Sequence, residues 1–246
     1  MKLRIAARRM IIEAPSWVRD FAPDLVDRTL PPRNLRRRVS RTGGRKEFVD
    51  VGAMAAGAIR RAWSGPGGRP WRVLDFGCGP GRVARLLAPE VDRFAGVDVD
   101  ADAIAWCAEH LEGTFHLVDR LPPLPFADAS FDFVYAISVF THFDEPVQDR
   151  WLAELRRVLM PGGWLFATTH SPALVFDRPD LADGQRVRLA NEGFAFAPGR
   201  RTFSEDSAFH DVEYVRSHWA RWFTLVHFEP FGLGGFQDVA VLRANG

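Results

Sequence analysis

Val73-Leu74-Asp75-Phe76-Gly77-Cys78-Gly79-Pro80-Gly81 is the stretch on which the fold turns. The apolar run from Arg72 to Phe76 has the length of a buried strand. It enters three glycines spaced by single residues, and the pattern from Arg82 to Leu87 is helical. A strand that turns through glycines into a helix suits a close approach to a ligand. Glycine tolerates positive φ and has no Cβ, and the first turn of a helix carries N–H groups without intrahelical partners. A dinucleotide loop would need G-x-G-x-x-G to seat a pyrophosphate; the spacing here is G-x-G-x-G preceded by an acid, which disfavours NAD.

Outward from this loop, strand and helix patterns alternate. Arg93 to Asp98 reads as a strand, Ala101 to Leu111 as a helix, and Thr114 to Val118 and Phe131 to Ile137 as strands. Gln148 to Leu159 is an amphipathic helix with Trp151, Leu152, Leu155, Val158 and Leu159 on one face. Pro161-Gly162-Gly163 ends it, and Trp164 to Thr169 supplies a fifth strand. Such alternation implies a parallel sheet covered on both faces. Residues 171–207, interrupted by Pro172, Pro179, Gly184, Gly193, Pro198 and Gly199, read as an insertion over the carboxyl ends of the strands, where binding sites are commonly built. Phe209 to Trp219 reads as a helix. Trp222 to Phe228 and Asp238 to Leu242, joined by the Gly232 to Gly235 turn, read as an antiparallel hairpin at a sheet edge. Upstream, Phe48 to Trp63 is helical and the Gly65 to Pro70 turn stops it.

The 246 residues, 47% of them hydrophobic, suit one large domain with appendages. Its 32 basic and 31 acidic side chains nearly cancel, so no global field steers the chain toward nucleic acid or an anionic membrane. The balance is uneven along the chain. Lys2 to Lys46 holds 13 Lys and Arg against four acids, a net +9 that the remainder offsets with −8. We therefore separate a basic, Arg/Pro-rich arm over residues 1–46 from a body over residues 47–246. Arg33, Arg36, Arg37, Arg38 and Arg41 either contact phosphates or pair with the acidic body and solvent. Cys78 and Cys107, the only cysteines, read as reduced thiols. With no signal-peptide pattern and no long apolar stretch, they lead us to expect a cytoplasmic protein without a membrane span.

Three acids complete the candidate ligand site. Asp98 ends Gly96-Val97-Asp98, where a strand-terminal carboxylate can accept both hydroxyls of a ribose, with Asp100 as the weaker alternative. Asp119 follows the next strand and either accepts from an adenine amino group or caps a turn. The acid-x-G-x-G-x-G loop, the acid after the second strand and the Pro161-Gly162-Gly163 turn together resemble class I S-adenosylmethionine-dependent methyltransferases. Leu124-Pro125-Phe126 with Ser130 to Val134, Ser138-Val139-Phe140-Thr141-His142 and Leu152 to Leu159 are similar to the small-molecule branch, over a match from about Phe48 to the terminus. The resemblance implies an α/β, Rossmann-like, doubly wound and mostly parallel seven-stranded sheet with an antiparallel C-terminal edge hairpin. It also implies S-adenosylmethionine as cofactor and S-adenosylhomocysteine as product. Gly77, Gly79 and Gly81 would line the methionine portion, with Asp75 orienting its amino group through water. Asp98 would hold the ribose and Asp119 approach the adenine, with Cys78, Val99 and Arg120 also among the cofactor-binding residues. Arg120 departs from the pattern, since relatives usually place a small residue there.

Methyl transfer from a sulfonium needs no acid for its leaving group, so positioning dominates: roughly 7–11 kcal/mol comes from proximity, against about 10²- to 10⁴-fold in rate from a general base. The candidate bases are His142, His170 and His210, each just past a strand or at the end of the insertion, with a structural role open for every one; His218, beside Tyr214 and Trp219, reads as packing. Phe176, Phe194, Phe196 and Phe203 either stack on a planar acceptor or fill the core of a lid. We expect no metal site, because no spacing of ligands matches one. The favoured acceptor is O or N of a small molecule, such as a secondary metabolite, a sugar or a cell-surface glycan precursor. The alternatives are a nucleic-acid methyltransferase using the basic arm and a cofactor-binding protein without catalysis. Against nucleic acid stands Ser138-Val139-Phe140, where enzymes acting on exocyclic base amines usually carry Asn or Asp and two prolines. A homodimer is compatible with the family and required by nothing in the sequence.

Overall fold

The computed structural model describes residues 30–40, 42–63, 72–177, 181–199 and 205–246. Residues 1–29 and Arg41 of the basic segment, the 64–71 turn, Pro179 and Phe203 lie outside the described residues, as does the side chain of Phe176. A short helix α1 (Arg33–Arg36) and a long helix α2 (Arg45–Trp63) precede β1 (Arg72–Phe76), α3 (Ala84–Leu87), β2 (Arg93–Asp98), α4 (Ala101–His110), β3 (Thr114–Leu117) and β4 (Phe131–Ala136). Then come α5 (Glu145–Val158), β5 (Leu159–His170), α6 (Asp183–Glu192), β6 (Phe194–Ala197), β7 (Ser207–His210), α7 (Val212–His218), β8 (Phe223–Leu233) and β9 (Gln237–Ala244).

Strands β3-β2-β1-β4-β5 pair in parallel in that order; β9 joins β5 antiparallel and β8 joins β9 antiparallel. These seven strands are the expected mostly parallel sheet with its edge hairpin. The insertion adds two more, making a nine-stranded sheet: β6 pairs antiparallel with β7, and β7 meets the end of β5 through His170 and Phe209. Here the helix expected over Phe209 to Trp219 is corrected. Phe209 and His210 belong to a strand, and the helix begins only at Val212, where the Asp211 carboxylate accepts from the Glu213 N–H. The helical spacing of the apolar residues is overridden by tertiary pairing with β6.

Alternation along the strands sorts the core into two faces. Leu74 and Phe76 of β1, with Val134 and Ala136 of β4, bury against Trp151, Leu152, Leu155 and Val158 of α5. Val73, Phe133 and Tyr135 point the other way, toward Ala55, Ala56 and Ile59 of α2, Val83 just before α3 and Leu87 of α3. Asp75 shares the second face, so a carboxylate stands in an apolar layer. The insertion carries a small core of its own, Val175, Leu181, Ala195, Ala197 and Phe209. No helix of the described residues is long and apolar enough to cross a membrane.

Candidate functional site

The site forms where β1, β2 and β3 end side by side. Gly77, Gly79 and Gly81 all have positive φ, at 79°, 50° and 74°. A Cβ at Gly77 would lie 2.4 Å from Val139 Cγ2 and one at Gly81 2.4 Å from Leu111 Cδ1, while at Gly79 it would lie 2.9 Å from Val39 Cγ1. The glycines are therefore required by the chain's own packing as well as by backbone strain, each roughly 1 kcal/mol or more for an L-residue. The loop amides are also engaged: Gly77 and Cys78 donate to the Val97 carbonyl, and Gly81 donates to the Cys78 carbonyl. The Gly79 N–H donates to Asp98 Oδ2 at 2.7 Å.

Asp98 thus ties the loop to the end of β2. Its Oδ1 accepts from the Asp100 N–H at 2.9 Å, and the carboxylate remains half-buried at the crevice. Burial raises its pKa against the two backbone donors and that of Val99, with Asp100 adding repulsion. These three donors still leave a lone pair on the carboxylate, which offers about four acceptor sites. Asp100 is different: it caps α4 by accepting from Asp102 and Ala103 N–H, and it pairs with Arg38. Between the two acids, Asp98 has the spare capacity. Val99 is 38% exposed and Leu121 40%, apolar groups at the ends of β2 and β3 that the chain leaves uncovered. Asp119 and Arg120 are exposed beside them, and Trp151 Nε1 holds the Arg120 carbonyl at 3.1 Å.

Asp75 lies deeper, 3% exposed, with Tyr135 Oη donating to its Oδ2 at 2.7 Å. Burial pushes its pKa up to about 8, the Tyr135 hydrogen bond opposes this, and neighbouring Asp98 adds to the rise. Its enclosure disfavours the charged form. Cys78 is buried beside Cys107, and burial raises its thiol further.

The segment before α2 covers this loop. Val39 lies on Gly79, and its carbonyl accepts from Arg82 Nη1 at 2.7 Å. Arg38 pairs with both Asp100 and Asp102. Arg36 is fully buried and donates to the Pro31 and Gly43 carbonyls at 2.7 and 3.0 Å. Both of these arginines act inside the chain.

The three histidines gather at the carboxyl ends of β4, β5 and β7 but differ in access. His142 follows β4 on a short 3-10 turn, half-buried, and its Nδ1 donates to the Asp206 carbonyl of the insertion at 2.9 Å. His170 ends β5, half-buried, with its ring 5.8 Å from that of Phe209. His210 is wholly enclosed: Nε2 donates to Gln148 Oε1 at 2.7 Å, and the rings of Phe194, Tyr214 and Trp219 surround it. Burial lowers its pKa to about 3, with His170 and His218 adding to the drop. Its enclosure leaves His210 less suited to a general base than His142 or His170. His218 stacks on Tyr214 and contacts Asp149 at 2.6 Å, as a packing residue would.

Sequence reasoning missed Tyr135, which reads as ordinary strand core, Arg82 as a polar neighbour of Asp75, and Ser138. Ser138 has φ of 60°, takes a 2.8 Å hydrogen bond from Gln237 Nε2, and donates its own N–H to Thr168 Oγ1 at 2.8 Å. The accessible residues just past β4 are thus set in a strained backbone held by β5 and β9.

A methyltransferase-domain family model matches residues 73–163. The fatty-acid O-methyltransferase of Mycolicibacterium smegmatis is 32% identical over 133 residues, covering 51% of this chain and 47% of that protein. The malonyl-[acyl-carrier protein] O-methyltransferase of Enterobacter lignolyticus is 32% identical over 104 residues, 42% of this chain and 41% of that protein. The chain therefore spans less than half the length of these curated relatives. Among solved structures, N-methyltransferase NodS from Bradyrhizobium japonicum in complex with S-adenosylhomocysteine superposes with a TM-score of 0.60 at 16% identity, covering 89% of this chain and all of that one. At that identity the likeness is one of fold.

Proposed function

Because residues 73–163 carry a methyltransferase domain of the class I S-adenosylmethionine-dependent family, we propose that the chain transfers a methyl group from S-adenosylmethionine to an oxygen or nitrogen of a small molecule. The observation that carries this reading is the Asp98 carboxylate, bound to the Gly79 amide of the glycine loop with a lone pair left over at the crevice. That donor set fits the cofactor: Asp98 would accept from the ribose hydroxyls, Val99 and Leu121 would flank the base with Asp119 near its amino group, and Asp75 would face the methionine ammonium. When bound, the cofactor supplies an electrophilic methyl group on a sulfonium that departs without protonation. The chain's own residues bind, orient and exclude water. Of the three candidate histidines, His142, tied to the insertion through Asp206, and His170 are the accessible ones, and either would take the proton of a hydroxyl acceptor. An amine already deprotonated would need neither.

The insertion over residues 171–207 is assigned to the acceptor side, and the described part of the basic arm, residues 30–40 and 42–46, to a cover on the cofactor loop rather than a track for nucleic acid. Arg36 and Arg38 support the latter, being turned to carbonyls and carboxylates of the chain itself. Calorimetric titration of the full chain with S-adenosylhomocysteine tests the first step: micromolar binding is expected, and no heat at millimolar ligand would reject the reading. Release of S-adenosylhomocysteine from S-adenosylmethionine in the presence of hydroxyl- and amine-bearing acceptors tests the second. Release with none of them, while the product still binds, would favour a cofactor-binding protein without catalysis.

A further inference from the structure

The 3-10 turn that carries His142, Phe140–His142, is pinned on two sides. Val139, which opens the turn, packs on the cofactor loop: a Cβ at Gly77 would lie 2.4 Å from Val139 Cγ2. The His142 N–H donates to the Val139 carbonyl at 3.0 Å, and Thr141 Oγ1 donates to the Ser138 carbonyl at 2.9 Å, so the turn is closed on itself. On its other side lies the insertion. Asp206 immediately precedes β7, whose first residue, Ser207, is paired with Ala197 of β6. The Asp206 side chain adds a second tie, Oδ1 accepting from the Gly199 N–H at 2.7 Å. Against this anchored residue, His142 Nδ1 meets the Asp206 carbonyl at 2.9 Å.

A carbonyl only accepts, so this bond puts the ring proton on Nδ1 and leaves Nε2 as the basic nitrogen of the neutral imidazole. Nε2 makes no hydrogen bond among the described residues and is not one of their buried, unpartnered atoms. The other two candidate histidines are arranged differently. His210 uses Nε2 on Gln148 inside a closed aromatic cage, and His170 has its Nδ1 buried beside the Phe209 ring.

We propose that Asp206 is a positioning residue for a hydroxyl acceptor: its carbonyl holds His142 as the Nδ1–H tautomer, so that Nε2 takes the acceptor's proton. This rests on the proposed function, chooses between its two accessible imidazoles, commits the acceptor atom to oxygen and gives the insertion a chemical task. The turn lies between the loop that borders the cofactor in that reading and the insertion assigned to the acceptor, which is where such a base is needed. As the acceptor oxygen bonds to the methyl carbon, the carbon–sulfur electron pair stays on sulfur and the O–H proton passes to Nε2. The ring is then an imidazolium whose Nδ1–H still faces the Asp206 carbonyl, and a hydrogen bond from a charged donor is stronger than the neutral one it replaces.

Nitrogen NMR of the full chain, isotope-labelled at its histidine rings and with His142 assigned from its backbone, tests the tautomer without any acceptor. A protonated Nδ1 with a bare Nε2 above neutral pH is expected; a protonated Nε2 overturns the proposal even if no variant folds. Turnover is read with whichever of the hydroxyl-bearing acceptors above releases most S-adenosylhomocysteine. His142→Asn keeps an amide to reach the Asp206 carbonyl and has nothing at the Nε2 position. It is expected to bind S-adenosylhomocysteine within about threefold of the unaltered chain and to lose at least about 100-fold in kcat. Asp206→Ala, without the Gly199 tie, is expected to lower kcat about 10-fold with the acceptor KM within about threefold, and to let the ring proton divide between the two nitrogens. Asp206→Asn, which keeps an oxygen for the Gly199 N–H, restores both. A kcat loss below about threefold in His142→Asn overturns the proton role, and an Asp206→Ala chain that matches the unaltered one in tautomer and kcat overturns the positioning role. Turnover of amine acceptors alone overturns the commitment to oxygen. If S-adenosylhomocysteine binds and no acceptor is turned over, the transfer reading falls and this proposal with it; if the product does not bind, the cofactor site itself is wrong.

Discussion

Two polar clusters sit at the carboxyl ends of the same sheet, and the chain treats them in opposite ways. Around the glycine loop, Asp98 keeps an unused lone pair, Arg82 lacks an anion among the described residues, and Val99 and Leu121 are exposed apolar groups. Beneath the insertion, the polar groups largely answer one another, with His210 Nδ1 the one buried atom of the cluster that meets no partner among the described residues. Gln148 Oε1 accepts from both His210 and Trp219, Gln148 Nε2 donates to Tyr214 Oη, and Tyr214 Oη donates to Glu145 at 3.0 Å. Open valence marks a binding surface and mutual satisfaction marks a joint, although both are built from the residue types that chemistry uses.

Removing the open acceptor is the most damaging way to probe that contrast. Asp98→Ala takes a charged acceptor from the ribose and from the Gly79 and Asp100 amides together, each worth about 1.5–3 kcal/mol. Affinity for S-adenosylhomocysteine is expected to fall at least about 100-fold by calorimetry. A loss of less than threefold would break the comparison, because Asp98 would then be one more satisfied joint.

His210 probes the closed cluster. His210→Phe is expected to keep turnover within about threefold while lowering stability by roughly 1–3 kcal/mol, since Gln148 Oε1 loses a donor but keeps Trp219. A hundredfold or greater drop in turnover would restore the histidine to catalysis. The pH dependence has a definite sign. With the folded pKa near 3 and the unfolded value at 6.5, the unfolded chain binds the extra proton between them. The stability associated with neutral His210 is therefore present above pH 6.5 and is lost as pH falls toward 3. The melting temperature of the wild type should decline across that window more steeply than that of His210→Phe. Parallel curves would show that His210 does not drive the decline.

The contrast also explains what was legible in the sequence. β1 and β2 appear with the bounds read from the residues, because an apolar run ending in glycine or in a strand-terminal acid is a local signal. The role of His210 was not legible, since its position in β7 depends on β6, its hydrogen bond on Gln148, 62 residues away, and its lowered pKa on burial among distant residues. Tyr135 looks like strand core until its hydroxyl is seen against Asp75, and Arg82 looks like any helix-start arginine until its missing carboxylate is noticed. Glycines and caps announce themselves locally, whereas the balance of charge in a buried cluster is a property of the packed chain.

A smaller effect is expected at Gly79, where positive φ and Val39 act together. Gly79→Ala should cost about 1–2 kcal/mol, from strain at φ 50° and from pushing Val39 away. Lowered melting temperature together with faster proteolysis near residue 39 is the expected pair of readouts. An unchanged cleavage rate would mean that the Val39 contact does not hold the segment down.

Arg38→Ala should have the least effect, and its size carries the argument about the arm. Arg38 bridges Asp100 and Asp102 but is 40% exposed, and Asp102 is 71% exposed, so water and salt screen both pairs. Exposed pairs of this kind contribute about 0–1 kcal/mol, less at high ionic strength. The described part of the arm must then be held mainly by its buried residues Leu30, Leu35 and Arg36, and by the bond from Arg82 to the Val39 carbonyl. Stability of Arg38→Ala within about 1 kcal/mol of wild type in dilute buffer, with the gap closing at about 0.5 M NaCl, is the expected result by denaturant titration. A loss above about 2 kcal/mol that salt does not remove would mean that the Arg38 bridge itself clamps the arm over the loop. The covering segment would then belong with the closed cluster, as a joint, and not with the open rim of the site.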